Sequence, residues 1–503
     1  MIAKIKFERC KMKRQYASPR ISLGQRIRQS GLYRVYNWKS EHGRGRVCML
    51  LSSIFTGLAG QFSGSIFYSA FLLAHGFDLS EINVLLFVPY ITTFLYLFSP
   101  SLLERFKRRK VVLAVARVVA HTVNILGITL LPMLFSKDES GNVIDKKAMT
   151  VAFVIIIMTA NAVSALFSQG YSAWHAKFLT DDIRADYFTS SQCINAMVYV
   201  VVFLVSLYAD SLKDTAGYMP FLTTMRFVAY GLAIIDVIFL LIPKEYEYPK
   251  TVDKPKIKYV FTLPFKNKKF FMTISIIVMV TFAMNIHAGY IDAYIIKEIK
   301  VPLALTNGIN ALYFAFFIFF GSMWKKFIAK QTWLRALGFS LLIEGLSYLT
   351  YSFIIPGAFI LYTIVRLWQH VMGVVRGTII ASLPYLNLPE EDRTNYLAFF
   401  TIVNNMGAFA ARIVGQIIYE NVGKSEAIIG AFSAVGIHGP VPILIFSCAA
   451  LEALVAIPCF LWFRKATPKA LLDEYDARRA MAKQYRAEKK ALRAAKKAEK
   501  NGF

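Results

Sequence analysis

Acidic residues are scarce in this chain. There are 31 Asp and Glu against 58 Lys and Arg, and the formal net charge is +27. Charge of either sign is also thin, at 18% of residues where a soluble domain carries about 25%. That shortage excludes an ordinary water-soluble globule. Cysteine is rare too. The five are Cys10, Cys48, Cys193, Cys448 and Cys459, with no CxxC pair and no metal-like cluster. No disulfide framework, structural metal or cofactor is expected. No GxxxxGK[ST] stretch occurs, which argues against a pump hydrolysing ATP in this chain. HExxH and GxSxG are missing as well, which argues against a zinc or serine hydrolase within the membrane.

What the chain has instead is apolar length. Hydrophobic residues make up 56%, and Phe alone occurs 41 times. Crossing ~30 Å of hydrocarbon takes about 20 mainly apolar residues at ~1.5 Å each. Twelve stretches qualify: 48–74, 82–103, 111–135, 149–173, 188–209, 219–242, 270–296, 303–324, 333–354, 357–380, 395–419 and 440–463. Runs this long predict helices, because a backbone in lipid must satisfy its own hydrogen bonds. The expected fold is an all-α membrane protein of twelve transmembrane helices.

The positive charge is concentrated. Four regions hold 39 of the 58 Lys and Arg: Met1–Val47, Glu104–Lys110, Lys244–Lys269 and Arg464–Phe503. Such clustering also suits nucleic-acid binding, but cytoplasmic loops of membrane proteins retain Lys and Arg, and anionic inner-leaflet lipid attracts them. We expect lipid and no nucleic acid as the partner of these charges. The opposite loops, such as His75–Glu81 and Ile355–Gly357, carry no Lys or Arg. Both termini are therefore expected in the cytoplasm, in a plasma membrane. The basic N-terminus is too long before its first apolar run to be a cleavable signal, although an organelle transit peptide shares its Arg-rich character.

The stretch Pro243–Lys269 divides the spans six and six, and its prolines Pro243, Pro249, Pro255 and Pro264 argue against one continuous helix. The expected organisation is a basic segment 1–47, a six-helix bundle 48–243, a linker 244–269, a second bundle 270–465 and a basic helical tail 466–503. The halves repeat. LTDDIRADYF after the fourth span answers LPEEDRTNYL after the tenth, at an offset of 209 residues. Arg184 then aligns with Arg393, Tyr187 with Tyr396 and Asn195 with Asn404. Related halves predict two pseudo-symmetric bundles with a site between them.

The turn Ser99–Lys110 reads SPSLLERFKRRK between the second and third spans. With twelve spans in two related halves, it resembles the major facilitator superfamily, whose turn runs roughly G-x-L-x-D-R-x-G-R-[KR]. Leu102, Glu104, Arg105, Arg108 and Arg109 take the matching positions. Pro100, Glu104 and Lys107 depart from the pattern. The matching turn of the second half, Trp324–Gln331, keeps positive charge and loses the acid. The resemblance implies a monomeric secondary transporter that moves a small molecule by alternating access, coupled to a proton or a sodium ion. It also implies that spans 1, 4, 7 and 10 line the cavity while 3, 6, 9 and 12 support it. It assigns Glu104, Arg105, Arg108 and Arg109 to a gating motif; if the local backbone is helical, one turn separates Glu104 from Arg108. A transport-inactive sensor or scaffold, or an intramembrane lipid-modifying enzyme, stands as the alternative.

Polar residues within spans are costly and therefore informative. The tenth span is richest, with Arg366, Gln369, His370 and Arg376. Arg366 is either a cavity cation for a polar or anionic group, or the partner of Glu344 in the ninth span. At the repeat offset His370 aligns with Asn161, which makes both candidates for facing positions. Gln61 and His287 complete the cavity candidates. Arg117 and Asp236 lie at similar depth and are expected to pair. Asp292 reads as an exposed acid near the outer end, and Glu452 has no evident partner.

Overall fold

The structure, a computed structural model, describes residues 33, 35–103, 105–136, 144–176, 178–179, 181–246, 257–389 and 393–501. Among these residues it is helical, with no strand. The first half contains α1 (Glu41–Ser63), α2 (Ser65–Ala74), α3 (Leu79–Phe87), α4 (Lys110–His121), α5 (Lys146–Ala176), α6 (Asp181–Leu212) and α7 (Tyr218–Leu241). Helix α3 runs on as a tighter 3-10 stretch to Leu97, and α4 continues through a π turn towards Met133. After α8 (Ile257–Lys266), the second half contains α9 (Lys268–Asn285), α10 (Ile291–Tyr294), α11 (Leu303–Gln331), α12 (Trp333–Tyr351), α13 (Phe359–Leu386), α14 (Arg393–Gly423), α15 (Glu426–Ser433) and α16 (Pro440–Ala466). The tail is α17 (Lys469–Asn501).

Eight of these helical segments, or nine with the bent α11, are long and apolar enough to cross a bilayer. Helices α6, α12 and α13, also counted among the twelve expected spans, are more polar and do not meet that criterion. In α6 only Met197–Leu212 is apolar, α12 carries Arg335 and Glu344, and α13 carries Arg366, Gln369, His370 and Arg376. Helix α11 bends by 40° between Tyr313 and Ala315.

Two seams join the halves. Helix α6 packs along α11, and the 3-10 continuation of α3 packs along α14, where Phe87 stands edge-on to Phe409 at 5.7 Å. Exchanging the halves converts each seam into the other, as a two-fold relation requires. The face that carries Glu41, the 331–333 turn and α17 is called the terminal face below. The opposite, far face carries the turns at 75–78, 213–217 and 300–302.

The first span is broken. Between α1 and α2, Gly64 is extended and Ser65 takes φ +50, in the left-handed region. A Cβ on Gly64 would sit 2.6 Å from the Gly60 carbonyl oxygen, so the break needs glycine there. A break in lipid strands backbone acceptors. Arg226 of α7 answers this one: its Nη1 donates to the Ser63 carbonyl at 2.7 Å and its Nε to Thr129 Oγ1 at 2.9 Å. Its guanidinium lies 4.7 Å from the Phe71 ring centroid and 5.4 Å from that of Tyr68. The side chain is only 2% exposed. A buried guanidinium bonded on two sides and covered by two aromatic faces is a brace.

The structure departs from two expectations and agrees with a third. The backbone at 106–109 is not helical, so Glu104 and Arg108 are not one helical turn apart. Glu104 itself lies outside the described residues, while Arg105 and Arg108 are exposed and Arg109 is half-buried. The tail is a helix as expected, yet it is not simply solvated: Tyr475 is 5% exposed and accepts a hydrogen bond from Arg335. Arg117 and Asp236 do pair, at 2.6 Å, with Ser52 also donating to the carboxylate and Thr56 accepting from Arg117 at 2.7 Å.

Arg226→Met should remove both donors and leave the Ser63 carbonyl orphaned, at about 1–3 kcal/mol for that acceptor. Thermal unfolding of the purified protein should show a lower transition temperature. An unchanged transition would mean that Arg226 does not brace the break.

Candidate functional site

A cavity of about 340 Å³ lies where the halves meet. The first half contributes Gln61 and Ser65 from either side of the α1–α2 break, and Tyr199 from α6. The second half contributes Asn310 and Tyr313 of α11, Glu344 and Tyr348 of α12, and Arg366, Gln369, His370, Gly373 and Arg376 of α13. The break therefore does more than bend a helix. It turns Gln61 and Ser65 to the cavity from a span that is otherwise packed.

The α13 wall is built by helical spacing. Arg366, Gln369, His370, Gly373 and Arg376 recur at three- and four-residue steps, which puts them on one face. Arg366 Nη1 donates to Gln369 Oε1 at 2.9 Å. Beyond that bond the group is short of partners: Arg366 Nε, Gln369 Nε2 and His370 Nε2 are buried, and none is hydrogen-bonded. The His370 ring packs on Tyr313 with centroids 5.1 Å apart. Glu344 is taken by Arg376, whose Nε donates to both carboxylate oxygens at 2.8 and 3.1 Å. The expected alternative partner of Glu344, Arg366, is thus corrected to Arg376, which leaves Arg366 facing the cavity. Glu452 of α16 lies behind this pair. It is fully buried, and neither of its carboxylate oxygens is bonded.

Other candidates lie elsewhere. Asn161 does not line the cavity: its amide donates to the Ile157 carbonyl of its own helix at 2.8 Å. It therefore does not face His370. His287 is 4% exposed, packed edge-on to Tyr348 at 5.1 Å, and sits behind the wall instead of on it. Asp292 is half-buried, within range of the Arg366 and Arg412 charges. The expectation that span 9 only supports is overturned, because α12 supplies Glu344 and Tyr348 to the lining. Spans 4 and 7 supply no lining residue among those described.

On the far face the halves are held together by polar ties. Among the described residues, the hydrogen bonds that cross between the halves lie towards that face. The Asp210 carboxylate of α6 accepts the backbone N–H groups of Leu303 and Ala304, at 2.8 and 2.7 Å. It caps α11 from the other half, where the helix dipole favours negative charge. One turn deeper, Asn307 donates to Ser206 at 2.7 Å. At the second seam Asn83 donates to Gln416 at 2.8 Å, Gln416 bonds to Ser80, and Arg412 donates to the Leu86 carbonyl at 3.1 Å. Gly289 fits against Asn83 so closely that a Cβ there would overlap its side-chain oxygen. Asp210 was absent from the sequence-derived candidates. Nothing near it in the chain signals that its partner is a helix start more than 90 residues away.

Asp210→Ala should uncap α11 and loosen this closure. With a reporter cysteine placed by Ser65→Cys, a membrane-impermeant thiol reagent applied from the far face should label the variant faster than the parent. Equal labelling rates would show that Asp210 caps a helix without latching the halves.

No protein-family model and no curated protein sequence matches the chain. Solved structures do. The POT family transporter PepTSo superposes with a TM-score of 0.63 at 12% identity, covering 84% of this chain and 98% of that one. A bacterial homologue of the iron transporter ferroportin, in an inward-facing state, gives 0.61 at 12% identity, covering 83% and 98%. The xylose transporter XylE from E. coli, in an inward-open conformation, gives 0.56 at 15% identity, covering 87% and 99%. The chain has the fold of the major facilitator transporters.

Proposed function

We propose that the chain is a secondary transporter that carries a small solute rich in hydrogen-bond acceptors, anionic or hydroxylated, by alternating access. The observation that carries this reading is the set of unpartnered nitrogens on Arg366, Gln369 and His370 at the cavity wall. A buried donor without a partner costs about 1–3 kcal/mol. A solute offering oxygens to these groups would remove that cost on binding. Gln61 and Ser65 present a polar counter-wall from the first half. Transport needs two states, and the far-face ties describe one in which that side is shut. Two of the structural neighbours carry inward-facing or inward-open descriptions, in keeping with this state.

The orientation follows from charge. The terminal face carries the basic regions, so we place it, with both termini, in the cytoplasm, and we place the chain in the plasma membrane as a monomer. The bundles are 48–243 and 270–465, with 244–269 between them, and the basic segments 1–47 and 466–503 lie on the cytoplasmic side. Glu104, with Arg105, Arg108 and Arg109, remains our candidate for the inner gate. A coupling proton would reside on Glu452, whose carboxyl is buried beside the Glu344–Arg376 pair without a bond of its own. Only Glu344 is bonded to Arg376, so a solute drawing on that guanidinium would free a second carboxylate beside Glu452.

A thermal-shift screen of the purified protein against metabolites should find stabilisers that carry carboxylate or hydroxyl groups, since a ligand that binds the folded state raises its stability. Arg366→Ala should weaken the best of them roughly tenfold to a hundredfold, the loss of one or two charge-assisted bonds. Vesicle uptake of that solute should fall in parallel. Unchanged binding and uptake in Arg366→Ala would remove this residue from the site and the reading with it.

A further inference from the structure

The tail helix creates a second site at the terminal face, away from the central cavity. Helix α17 lies across the ends of α11 and α12. Arg478 donates to the Ala329 carbonyl at 2.8 Å, Arg335 to the Tyr475 hydroxyl, and Arg464 to Asp476 at 2.7 Å. Two cavities flank this contact. One, of about 540 Å³, is walled by Phe317, Trp324 and Ile328 of α11, Trp333 of α12 and Leu471 of α17. The other, of about 390 Å³, is lined by Lys330, Arg335, Arg478, Arg479 and Lys483. They share Tyr475 and Arg478, so they adjoin.

Their chemistries differ sharply. Five cations line the smaller cavity and no acid does. Glu474 lines the larger one and is paired with Arg478 at 2.8 Å. Lys330, Arg479 and Lys483 are exposed, with no carboxylate partner among the described residues. With Arg478 paired to Glu474, four cations share this space without a carboxylate among the described residues, an arrangement that favours an anion between them. The larger cavity is apolar, and its α11 wall runs from Phe317 to Ile328, eleven residues or about 16 Å of helix. That is close to one leaflet's share of a ~30 Å hydrocarbon core.

We propose that these adjoining cavities hold an anionic phospholipid, with its phosphate among Lys330, Arg335, Arg479 and Lys483 and one acyl chain along α11. A soluble anion would satisfy the charges and leave the apolar slot unused, whereas a neutral lipid would fill the slot and leave the charges unmet. Only a molecule with both parts matches the two cavities at once. The bound lipid would tie α17 to the α11–α12 turn. It would also give the basic end of α11, Trp324–Gln331, which is helical and not the expected turn, a partner in place of the acid its counterpart in the first half carries. The assignment does not depend on what the central cavity carries.

Native mass spectrometry and thermal unfolding of the full-length protein, stripped of lipid in neutral detergent, test this directly. The probes are phosphatidylglycerol, phosphatidylcholine of the same chain length, and inorganic phosphate. Phosphatidylglycerol should bind and raise the unfolding temperature, while the other two should do so far less. Arg479→Gln with Lys483→Gln should weaken phosphatidylglycerol roughly thirtyfold, at about one charge's worth each. Gly321→Leu fills the slot from a position where an added Cβ meets nothing within 4 Å. It should reduce lipid binding without lowering the lipid-free unfolding temperature. Equal binding of phosphatidylglycerol and phosphatidylcholine would overturn the headgroup assignment. Stabilisation by inorganic phosphate equal to that by lipid, with Gly321→Leu neutral, would make this a soluble-anion site and overturn the proposal.

Discussion

Arg226 is the side chain on which the rest of this architecture leans. Hydrocarbon offers no water to a stranded carbonyl, so a helix that breaks inside the membrane must find a donor in the protein. The break at Gly64 and Ser65 finds it in a guanidinium held between Ser63, Thr129 and two aromatic rings. Without the brace the first span would straighten or fray. With it, Gln61 and Ser65 reach the cavity, and α2 tilts towards the far-face seam where α10 meets it. One buried cation thus links the local strain of the first span to the shape of the site.

The cavity and the seams share a logic of polar groups placed where lipid cannot reach. The Asp210 cap, the Asn307–Ser206 bond and the Asn83–Gln416–Ser80 chain close the far face with short, directional contacts. Each is a neutral or charge-assisted bond worth roughly 1–3 kcal/mol, strong enough to favour one state yet few enough to be exchanged for others. In the wall, Glu344 and Arg376 form a largely buried pair with Glu452 behind them. Such a pair is a poor source of stability, because desolvation offsets the attraction. Its place at the edge of the cavity is better explained by what it does when a solute or a proton arrives.

Much of the fold was legible in the residues. Apolar run length located the helices, clustered Lys and Arg identified one face, and the 209-residue repeat announced two related halves. The site was legible in part. Arg366, Gln369, His370 and Gln61 line the cavity, whereas Asn161 and His287 do not. Asn161 fails because repeat alignment equates positions along a helix and not the directions of side chains, and this amide is taken up by its own backbone. The Glu344 partner fails for a related reason. Tyr351 lies beside Tyr362 with the rings tilted and their centroids 6.1 Å apart, so depth alone favours Arg366. Helix rotation decides otherwise and turns Arg376 to the carboxylate.

Composition and periodicity alone determine that this chain is a helical bundle in a bilayer, because apolar length and stranded charge are properties of consecutive residues. They determine its basic face for the same reason. Which polar group meets which was decided only by tertiary structure. Asp210 against the start of α11, Arg226 under the first span and the tail across two basic and apolar cavities all join residues far apart in the chain. Such meetings depend on helix rotation, tilt and register, which hydrophobic spacing constrains to a face but not to a partner.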